Sequence, residues 1–425
     1  MERKLWATYD WLLLLMYAVI LIFGWLNVYT VSYDGKPILA SLLDFSTSAG
    51  KQFVWIGGLS IVFTISLVLD TKFYISLAYF LYAASMLMLA GTLVWGVKVG
   101  GHSAWFQFGS MQLQPTEFVK LTCALAITKR LDSHKAYGIT SPKIQAHMLL
   151  LILLPAVLIV LQGDVGSALV FSSFCIVLYR EGWSRFIFLL GFWAMGIFVL
   201  SLLLSPTYLI IGTISIGIML IGFNRKSLQK VVLIAGIILT TIGFIEGVES
   251  VLSHVLKPHQ QNRIKVLLHP QSDPLGIGWN VMQAKIAIGA GGLWGKGFLQ
   301  GTQTKYGFVP EQRKDFIFCT IGEEYGWVGS CLFITLFMSF IFRILHVAER
   351  QRLRFVRVYG YGVASIFFFH FFVNIGMTIG LLPVIGIPLP FISYGGSSLW
   401  AFSAMLFVLL KMDAERIHYR ATDVN

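Results

Sequence analysis

The stretch VPEQRKDFIFCTIGEEYGWVG, residues 309–329, joins a cluster of charged side chains directly to an apolar run. The cluster extends from Glu311 to Asp315, and two further acids, Glu323 and Glu324, lie within the apolar residues that follow. Residues 316–342 form a mostly apolar run longer than the ~20 residues that cross a bilayer as a helix. The stretch therefore predicts a membrane-spanning helix with ionisable side chains at its entrance and inside it.

The composition of the whole chain extends this prediction. Of its 425 residues, 56% are hydrophobic and 12% are charged, whereas soluble domains carry roughly 25% charged residues. The mean hydropathy is +0.76. We therefore predict one integral membrane domain covering residues 1–425. The four cysteines fall inside apolar runs or at their edges, which indicates hydrophobic packing rather than a disulfide or metal framework.

The apolar runs predict an all-α polytopic helical bundle. Two of them, residues 116–128 and 166–179, are about a dozen residues long and are predicted to be half-helices buried among their neighbours. The twelve candidate spans lie near residues 11–31, 53–69, 73–95, 116–128, 145–161, 166–179, 185–203, 207–223, 231–249, 316–342, 358–381 and 390–410.

The distribution of Lys and Arg sets the predicted orientation. With the amino terminus inside, 20 of the 32 Lys and Arg residues fall on the cytoplasmic side, as the positive-inside rule requires. Both termini are therefore predicted to be cytoplasmic. The net charge of +12 then reports membrane topology, and we expect no nucleic-acid partner because no soluble basic domain is predicted to hold one.

One long extracytoplasmic loop, residues 250–315, departs from that rule; we call it the outer segment. It carries eight cations and only three acids, which are Asp273, Glu311 and Asp315. Two interpretations remain open: the cations bind an anionic ligand such as a lipid pyrophosphate, or they reach toward membrane lipid headgroups. The eight cations are Lys257, Arg263, Lys265, Lys285, Lys296, Lys305, Arg313 and Lys314.

The outer segment also contains GAGGLWGKG, residues 289–297. It is not a Walker motif, because Ala290 stands where a glycine is needed and Gly297 stands where Ser or Thr is needed. Its glycines let backbone N–H groups approach an anion closely, with Lys296 as a point charge. Close packing of a loop or helix explains the same glycines equally well.

A second polar stretch, WFQFGSMQLQPTEFVK, covers residues 105–120. Pro115 suits the first turn of a helix, where its missing N–H costs nothing. Glu117 and Lys120 are then three residues apart on one helix face. They predict either an internal ion pair or a phosphate ligand, Lys120, held by Glu117.

Asp164 and Asp315 both precede an apolar run, where an aspartate commonly caps a helix. For Asp164 capping is the favoured interpretation, with a proton-relay or substrate role as the alternative.

Arg313 and Lys314 beside Asp315 would sit at the positive end of a helix dipole, which disfavours cations unless something anionic offsets them. The dipole and these cations should keep Asp315 ionised and able to accept a proton. Glu323 and Glu324 predict a buried polar network behind it, with Lys120 as a candidate partner.

Near the carboxy terminus, residues 374–398 read NIGMTIGLLPVIGIPLPFISYGGSS. Pro383, Pro388 and Pro390 must interrupt a helix, which predicts irregular backbone packed against protein or a cavity.

Four of these stretches together resemble the SEDS family of bacterial cell-envelope proteins, most closely its elongation members. They are QPTEFVKL at 114–121, DPLGIGWNVMQAKIAIGAGGLWGKGFLQGTQ at 273–303, the opening stretch at 309–329, and GLLPVIGIPLPFISYGGSS at 380–398. The resemblance implies a peptidoglycan glycosyltransferase that polymerises lipid II into β-1,4 glycan strands at the outer face of the bacterial cytoplasmic membrane. It implies a class B penicillin-binding protein and the elongation machinery as partners.

By match to the DFIF motif, the essential aspartate of the family falls on Asp315, which is expected to act as general base. A divalent cation such as Mg²⁺ or Mn²⁺ would suit the same phosphates as the cations of the site. The residues expected to bind lipid II and the nascent strand are Trp105, Glu117, Lys120, Arg263, Gln283, Lys285, Lys296, Gln303, Glu311 and Arg313.

The chain departs from the family pattern in three places. Ala104 stands where the family commonly has an Arg, and Arg313 and Lys314 replace the usual His and Thr. The family is expected to have ten spans, so residues 207–223 and 231–249 are predicted to be an extra pair.

Two rival functions fit a polytopic protein. A lipid II flippase or other secondary carrier would explain intramembrane acids, but a carrier concentrates its ionisable groups near the membrane midplane. In this sequence the densest cluster lies in the outer segment. A scaffold that only binds the penicillin-binding protein leaves the buried acids unexplained.

Overall fold

The computed structural model describes residues 9–42, 44–99, 102–109, 111–133, 141–223, 227–250 and 277–417. The chain forms two compact units. The main unit comprises Met1–Trp183 and Asn280–Asn425, and the second unit comprises Ser184–Trp279. Asp315 belongs to the main unit.

The described elements are mostly helices, which confirms the predicted helical bundle. In chain order they are α1 (Trp11–Val31), α2 (Ile38–Leu42), α3 (Ser48–Val68), α4 (Thr71–Trp95), β1 (Val97–Val99), β2 (His102–Phe108), β3 (Met111–Leu113), α5 (Pro115–Asp132), α6 (Pro142–Leu161), α7 (Val165–Leu169), a 3-10 turn (Val170–Ser173), α8 (Phe174–Arg180), α9 (Arg185–Leu203), α10 (Pro206–Phe223), α11 (Leu228–Ser250), α12 (Ile277–Gly291), α13 (Thr302–Lys305), α14 (Phe318–Glu349), α15 (Arg354–Thr378), α16 (Gly396–Ala414) and a 3-10 turn (Glu415–Ile417).

Nine helices in the described part of the chain are long and apolar enough to cross a membrane: α1, α3, α4, α6, α10, α11, α14, α15 and α16. The number of spans, ten or twelve, stays a prediction. The expected half-helix at 116–128 is wrong, because α5 is a continuous helix of 18 residues. The one at 166–179 is short, as predicted, and consists of α7 and α8 joined by a 3-10 turn.

Helix α5 begins and ends where its sequence places complementary charges. Pro115 occupies its first turn, as predicted. Glu117 also lies in the first turn, and Lys129 and Arg130 lie in the last. Each charge opposes the partial charge of the nearer helix end, so the helix dipole stabilises all three.

Helices α15 and α16 lie at the centre of the main unit. In the most apolar 18 residues of each helix, 78% are buried in α15 and 83% in α16. Helix α14 packs on α15 and α1, while α5 packs on α4, α15 and α16. Between α14 and α15 the rings of Phe337 and Phe371 stack with centroids 4.5 Å apart. Polar side chains on α15 are therefore surrounded by protein.

A small antiparallel sheet, in the order β1-β2-β3, precedes α5. Phe106 pairs with Leu113 and Phe108 with Met111 across the turn at Gly109. Gly109 has φ +62°, a conformation that glycine adopts without a steric penalty. The loop between α4 and α5 is thus ordered by a short sheet within a fold that is otherwise helical.

Residues 379–395, which we call the connector, join α15 to α16 without forming a helix. They contain Pro383, Pro388 and Pro390, so the predicted interruption is confirmed. Ile387, Leu389 and Ile392 within the connector are fully or almost fully buried. The irregular backbone is thus packed inside protein, where its polar groups find partners.

The second unit contains α9, α10 and α11, and α11 packs on both other helices. Gly217 of α10 lies against the side chain of Ile238 on α11, where a Cβ would collide. The predicted helices at 207–223 and 231–249 are therefore present and packed together. Their description as an extra pair stays a prediction.

Candidate active site

Asp315 lies in a turn and not at the end of a helix. Helix α14 begins at Phe318, and its capping position is Ile317, where no side chain caps the helix. The amide groups of Lys314 and Asp315 both donate to the carbonyl of Glu311, at 3.1 Å each. Asp315 therefore does not occupy the capping position of α14. Its carboxylate is half-buried.

The connector and the end of α15 hold this turn from one side. The carbonyl of Arg313 accepts a hydrogen bond from the amide of Tyr394 at 2.9 Å. The carbonyl of Lys314 accepts one from the Ser393 hydroxyl. The carbonyl of Asp315 accepts one from Asn374 Nδ2 at 2.8 Å. Three consecutive carbonyls are thus fixed by three different residues.

The Asp315 carboxylate lies against the connector at Gly386. A Cβ built on Gly386 would be 3.3 Å from Asp315 Oδ2, and Gly386 itself has φ +78°. A side chain here would be strained and would press on the carboxylate. Glycine therefore leaves space beside the candidate base.

The two cations before Asp315 are directed at protein partners. Arg313 Nη1 lies 3.0 Å from the hydroxyl of Ser48 at the start of α3. Lys314 Nζ lies 3.9 Å from Glu311 Oε2, with both side chains about half exposed. Burial raises the pKa of Tyr394 above its ordinary value, and the nearby charge of Arg313 opposes that rise. Arg313 and Lys314 therefore keep positive charge close to the turn that carries Asp315.

Lys296 is part of a compact network around Glu323. Lys296 Nζ lies 2.7 Å from both Glu323 Oε1 and the Thr302 hydroxyl. The amides of Gln303 and Thr304 donate to the two Glu323 oxygens at 2.9 Å each. Glu323 is fully buried. The network that the sequence predicts around this acid is present, and it fixes the stretch containing Lys296 and Gln303.

Glu324 belongs to a neighbouring set of contacts. The amide of Leu299 donates to its Oε1 at 2.8 Å, and the hydroxyl of Thr30 on α1 lies 3.3 Å from its Oε2. The suggested partnership of these acids with Lys120 is wrong. Lys296 takes that place for Glu323, because the loop before α13 folds back over the start of α14.

Lys120 and Glu117 form an ion pair inside the main unit. Lys120 Nζ lies 2.9 Å from each Glu117 oxygen, and the two side chains are 0% and 2% exposed. Lys120 Nζ also lies 2.9 Å from Nε2 of His370. The ammonium group can only donate, so His370 accepts there and donates from Nδ1 to the Pro388 carbonyl, at 3.0 Å. The internal ion pair is what forms, and this burial does not support a phosphate contact by Lys120.

Lys285 is the candidate cation on α12. Its side chain is exposed and lies against Gly380 of the connector, where a Cβ would collide with it. Gln283, on the same helix, is buried. Lys285 and Asp315 thus both border the connector. Arg263 lies outside the described residues.

Trp105 lies on β2, half-buried and opposite Val97. The neighbouring Ala104 is fully buried, so the position where the family commonly has an Arg has no access to solvent in this chain. The sheet is attached to the start of α16, because the Ser397 hydroxyl donates to the Gln112 carbonyl at 3.1 Å. Trp105 remains a predicted substrate contact.

The glycine-rich stretch uses its backbone N–H groups internally. The amides of Lys296 and Gly297 donate to the carbonyls of Glu323 and Glu324, at 3.0 and 2.9 Å. The amide of Gly295 donates to Gly291 at 2.8 Å. The close-packing interpretation is therefore correct, and these amides do not form an anion site in this conformation.

Asp164 caps α7, as favoured from the sequence. Its Oδ1 accepts from the amide of Ser167 at 2.9 Å, and its Oδ2 accepts from the Ser167 hydroxyl at 2.7 Å. Among the described residues, no group of three or more His, Cys, Asp and Glu side chains is placed to hold a metal ion. A divalent cation stays an expectation without an assigned set of protein ligands.

Sequence reasoning missed three residues that organise this site: His370, Asn374 and Ser393. All three are buried polar residues, with exposures of 0%, 0% and 3%. A signal for the first two was present, since they are four residues apart in an apolar helix and therefore share one face. Their partners, Pro388 and Asp315, are remote in sequence and were not predictable from spacing.

Comparison with known proteins supports the sequence resemblance. The model of the FtsW/RodA/SpoVE family, described as cell cycle proteins, matches residues 10–215 and 191–418. The chain is 31% identical to the peptidoglycan glycosyltransferase RodA of Treponema pallidum over 97% of this chain and 99% of the relative. It is 34% identical to the peptidoglycan glycosyltransferase MrdB of Escherichia coli K12, over 81% of this chain and 80% of the relative.

Among solved structures, one is described as showing structural coordination of polymerization and crosslinking by a peptidoglycan synthase complex. A chain of that complex superimposes with a TM-score of 0.70 and 29% identity, covering 96% of this chain and 98% of the other. The helical bundle and these relatives together define a multi-pass membrane glycosyltransferase. The chain belongs to the FtsW/RodA/SpoVE family, which is the SEDS family its motifs resemble. The predicted enzyme class is confirmed.

Proposed function

We propose that this glycosyltransferase polymerises lipid II into peptidoglycan strands during cell elongation, with Asp315 as the general base. The observation that carries the proposal is the position of Asp315. Asp315 lies in a turn before the capping position of α14, and its half-buried carboxylate is beside a glycine of the connector. The curated relatives named as peptidoglycan glycosyltransferases supply the reaction class.

In the proposed reaction, the Asp315 carboxylate removes the proton from the 4-hydroxyl of the acceptor sugar. The freed oxygen attacks the anomeric carbon of the donor and forms the β-1,4 bond. The bond from that carbon to the α-linked pyrophosphate breaks, and the lipid pyrophosphate leaves with the bonding electrons. One displacement inverts the anomeric centre, so one base suffices and cations replace a protonating acid.

The structure narrows the set of cations proposed for the leaving pyrophosphate. Lys120 and Lys296 are already paired with Glu117 and Glu323. Lys285 and Arg313 remain, since both are exposed on the main unit and lie beside the connector or the Asp315 turn. Charge-assisted hydrogen bonds from such groups would stabilise the leaving group. Arg263 stays a proposal from sequence.

The cellular location of the chain and its protein partner are also proposals. We propose that the chain lies in the bacterial cytoplasmic membrane with both termini in the cytoplasm, which puts Asp315 and the outer segment on the outer face. We propose a class B penicillin-binding protein as its partner, because the structurally similar chain comes from a complex that coordinates polymerization and crosslinking. The organisation of residues 1–425 as one functional domain also stays a proposal.

A carrier remains the second candidate, because the buried pair of Lys120 and Glu117 is the kind of group that carriers place inside the membrane. Vesicles that contain the purified chain, a class B penicillin-binding protein and fluorescent lipid II separate the two functions. A polymerase converts the lipid II into a ladder of longer products on a gel. A carrier leaves it monomeric and moves it between leaflets, which a membrane-impermeant quencher detects; this result would overturn the proposal.

Replacing Gly386 by Ala tests the space beside Asp315. The left-handed backbone costs an L residue roughly 1–2 kcal/mol, and the new methyl would lie 3.3 Å from Asp315 Oδ2. Displacements of ~1 Å among reacting groups can cost ~100-fold in rate. We expect polymerisation to slow by about tenfold or more. The control is Gly57→Ala in α3, where a Cβ meets nothing within 4 Å; equal effects of both changes would contradict the prediction.

A further inference from the structure

Three hydrogen bonds within the turn that carries Asp315 converge on one acceptor. The amides of residues 314, 315 and 316 donate to the Glu311 carbonyl at 3.1, 3.1 and 3.4 Å. Glu311 has φ +53°, an uncommon conformation for a residue that is not glycine. A turn of this kind needs support from outside if it is to hold one side chain precisely.

That support comes from two buried side chains that each bind two backbone groups. Asn374 Nδ2 donates to the Asp315 carbonyl and to the Ile387 carbonyl, at 2.8 Å each. The Ser393 hydroxyl donates to the Lys314 carbonyl and accepts from the Leu389 amide. Each side chain therefore ties the Asp315 turn to the connector.

The two ties hold the connector immediately after its contact with Asp315 at Gly386. Ile387 follows Gly386, the glycine beside the carboxylate, and Leu389 lies two residues further on. His370, one turn before Asn374 on α15, donates from Nδ1 to the carbonyl of Pro388, between those two residues. Consecutive positions 387, 388 and 389 are thus each bound by a buried side chain. The distance between the turn and the connector is set by these bonds.

We infer that Asn374 and Ser393 are positioning residues, which act on catalysis only by holding the Asp315 turn against the connector. The inference rests on the proposed role of Asp315. Neither side chain has access to substrate, since they are 0% and 3% exposed. Their removal should misplace the base without changing the surface that binds lipid II, so the chemical step should suffer and substrate binding should not.

The test uses the full-length chain with its penicillin-binding partner and fluorescent lipid II. Ser393→Ala and Asn374→Leu remove the bonding groups with little change in volume. We expect kcat to fall by about 10-fold to 100-fold with KM within about twofold of wild type. The control is Ser365→Ala, which also deletes a buried hydroxyl on α15, but one that donates only to Gly362 of the same helix. It should keep the wild-type kcat.

A second readout separates positioning from general damage to the fold. If the two residues act through Asp315, adding Asn374→Leu or Ser393→Ala to Asp315→Asn should cause no further loss. Should Asn374→Leu fail to fold, Ser393→Ala carries the test. The inference is overturned by unchanged kcat in the folded variants, by a rise in KM alone, by an equal loss in Ser365→Ala, or by additive losses. Wild-type activity of Asp315→Asn would instead overturn the proposed function.

Discussion

Asp315→Asn is expected to lower the initial rate of lipid II polymerisation by a factor of about 10²–10⁴, the usual contribution of a general base. The amide keeps the shape of the carboxylate but cannot take the proton of the acceptor hydroxyl. The turn should stay intact, because the amides of residues 314 and 315 donate to the Glu311 carbonyl and Asn374 donates to the Asp315 carbonyl, and the substitution changes none of these backbone groups. Rates are measured from the disappearance of fluorescent lipid II at equal amounts of monodisperse protein.

The matched control for this change is Asp34→Asn. Asp34 is a partly exposed acid that pairs with Lys36, also partly exposed, before α2. We expect it to retain the wild-type rate and melting temperature. A comparable loss from both substitutions would mean that the assay reports charge on the protein and not a base.

Lys120→Met is expected to destabilise the folded chain by about 3–5 kcal/mol, because it leaves Glu117 as an unpaired charge in a buried place. Glu117→Gln should be of similar severity, since it strands Lys120 beside His370. Both side chains of the pair are almost completely buried. The measurement is the melting temperature and the half-life at a fixed temperature in detergent.

The double variant Glu117→Gln with Lys120→Met supplies the contrast. It removes both charges, so its loss should be smaller than the sum of the single losses. An exposed pair on the same protein, Arg180 and Glu349, is the control. Exposed pairs contribute about 0–1 kcal/mol, so Glu349→Gln should leave the melting temperature nearly unchanged. Additive losses at Glu117 and Lys120 would contradict the buried-pair account.

The long helices were predictable because bilayer thickness fixes how many apolar residues a span needs. The first helix covers Trp11–Val31, the same residues that hydropathy indicates. The pairing of Glu117 with Lys120 was also available as an alternative, since residues three apart meet on one helix face. In both cases the structure depends on neighbours in sequence.

The sheet before α5 was missed because two of its strands have three residues each, too few for alternation to be recognised. The partner of Glu323 was also predicted wrongly. Lys296 precedes it by 27 residues, and only the folding of the intervening loop brings the two together. Spacing along one helix carries no information about such contacts.

In the candidate site, too, features that depend on neighbours in sequence were predictable and contacts between remote segments were not. Asp315 was proposed as the base from its motif and its charged neighbours. Its environment was not predicted, because Asn374 lies 59 residues from Asp315 and Ser393 lies 79 residues from Lys314. Their contact with the turn follows from the packing of α14 against α15 and the connector. For the glycine-rich loop, composition left an anion site and close packing both open, and the loop's close approach to α14, which uses the amides of Lys296 and Gly297, decides for packing.

The most direct test of the central claim is the product that the purified chain makes from fluorescent lipid II when it is the sole glycosyltransferase present. With a class B penicillin-binding protein deprived of transpeptidase activity, the wild-type chain should yield long polymers that a muramidase degrades. Asp315→Ala, equally folded, should yield none above a few per cent of that amount. Polymer formation by Asp315→Ala at the wild-type rate, or its absence with the wild-type chain, would contradict the account.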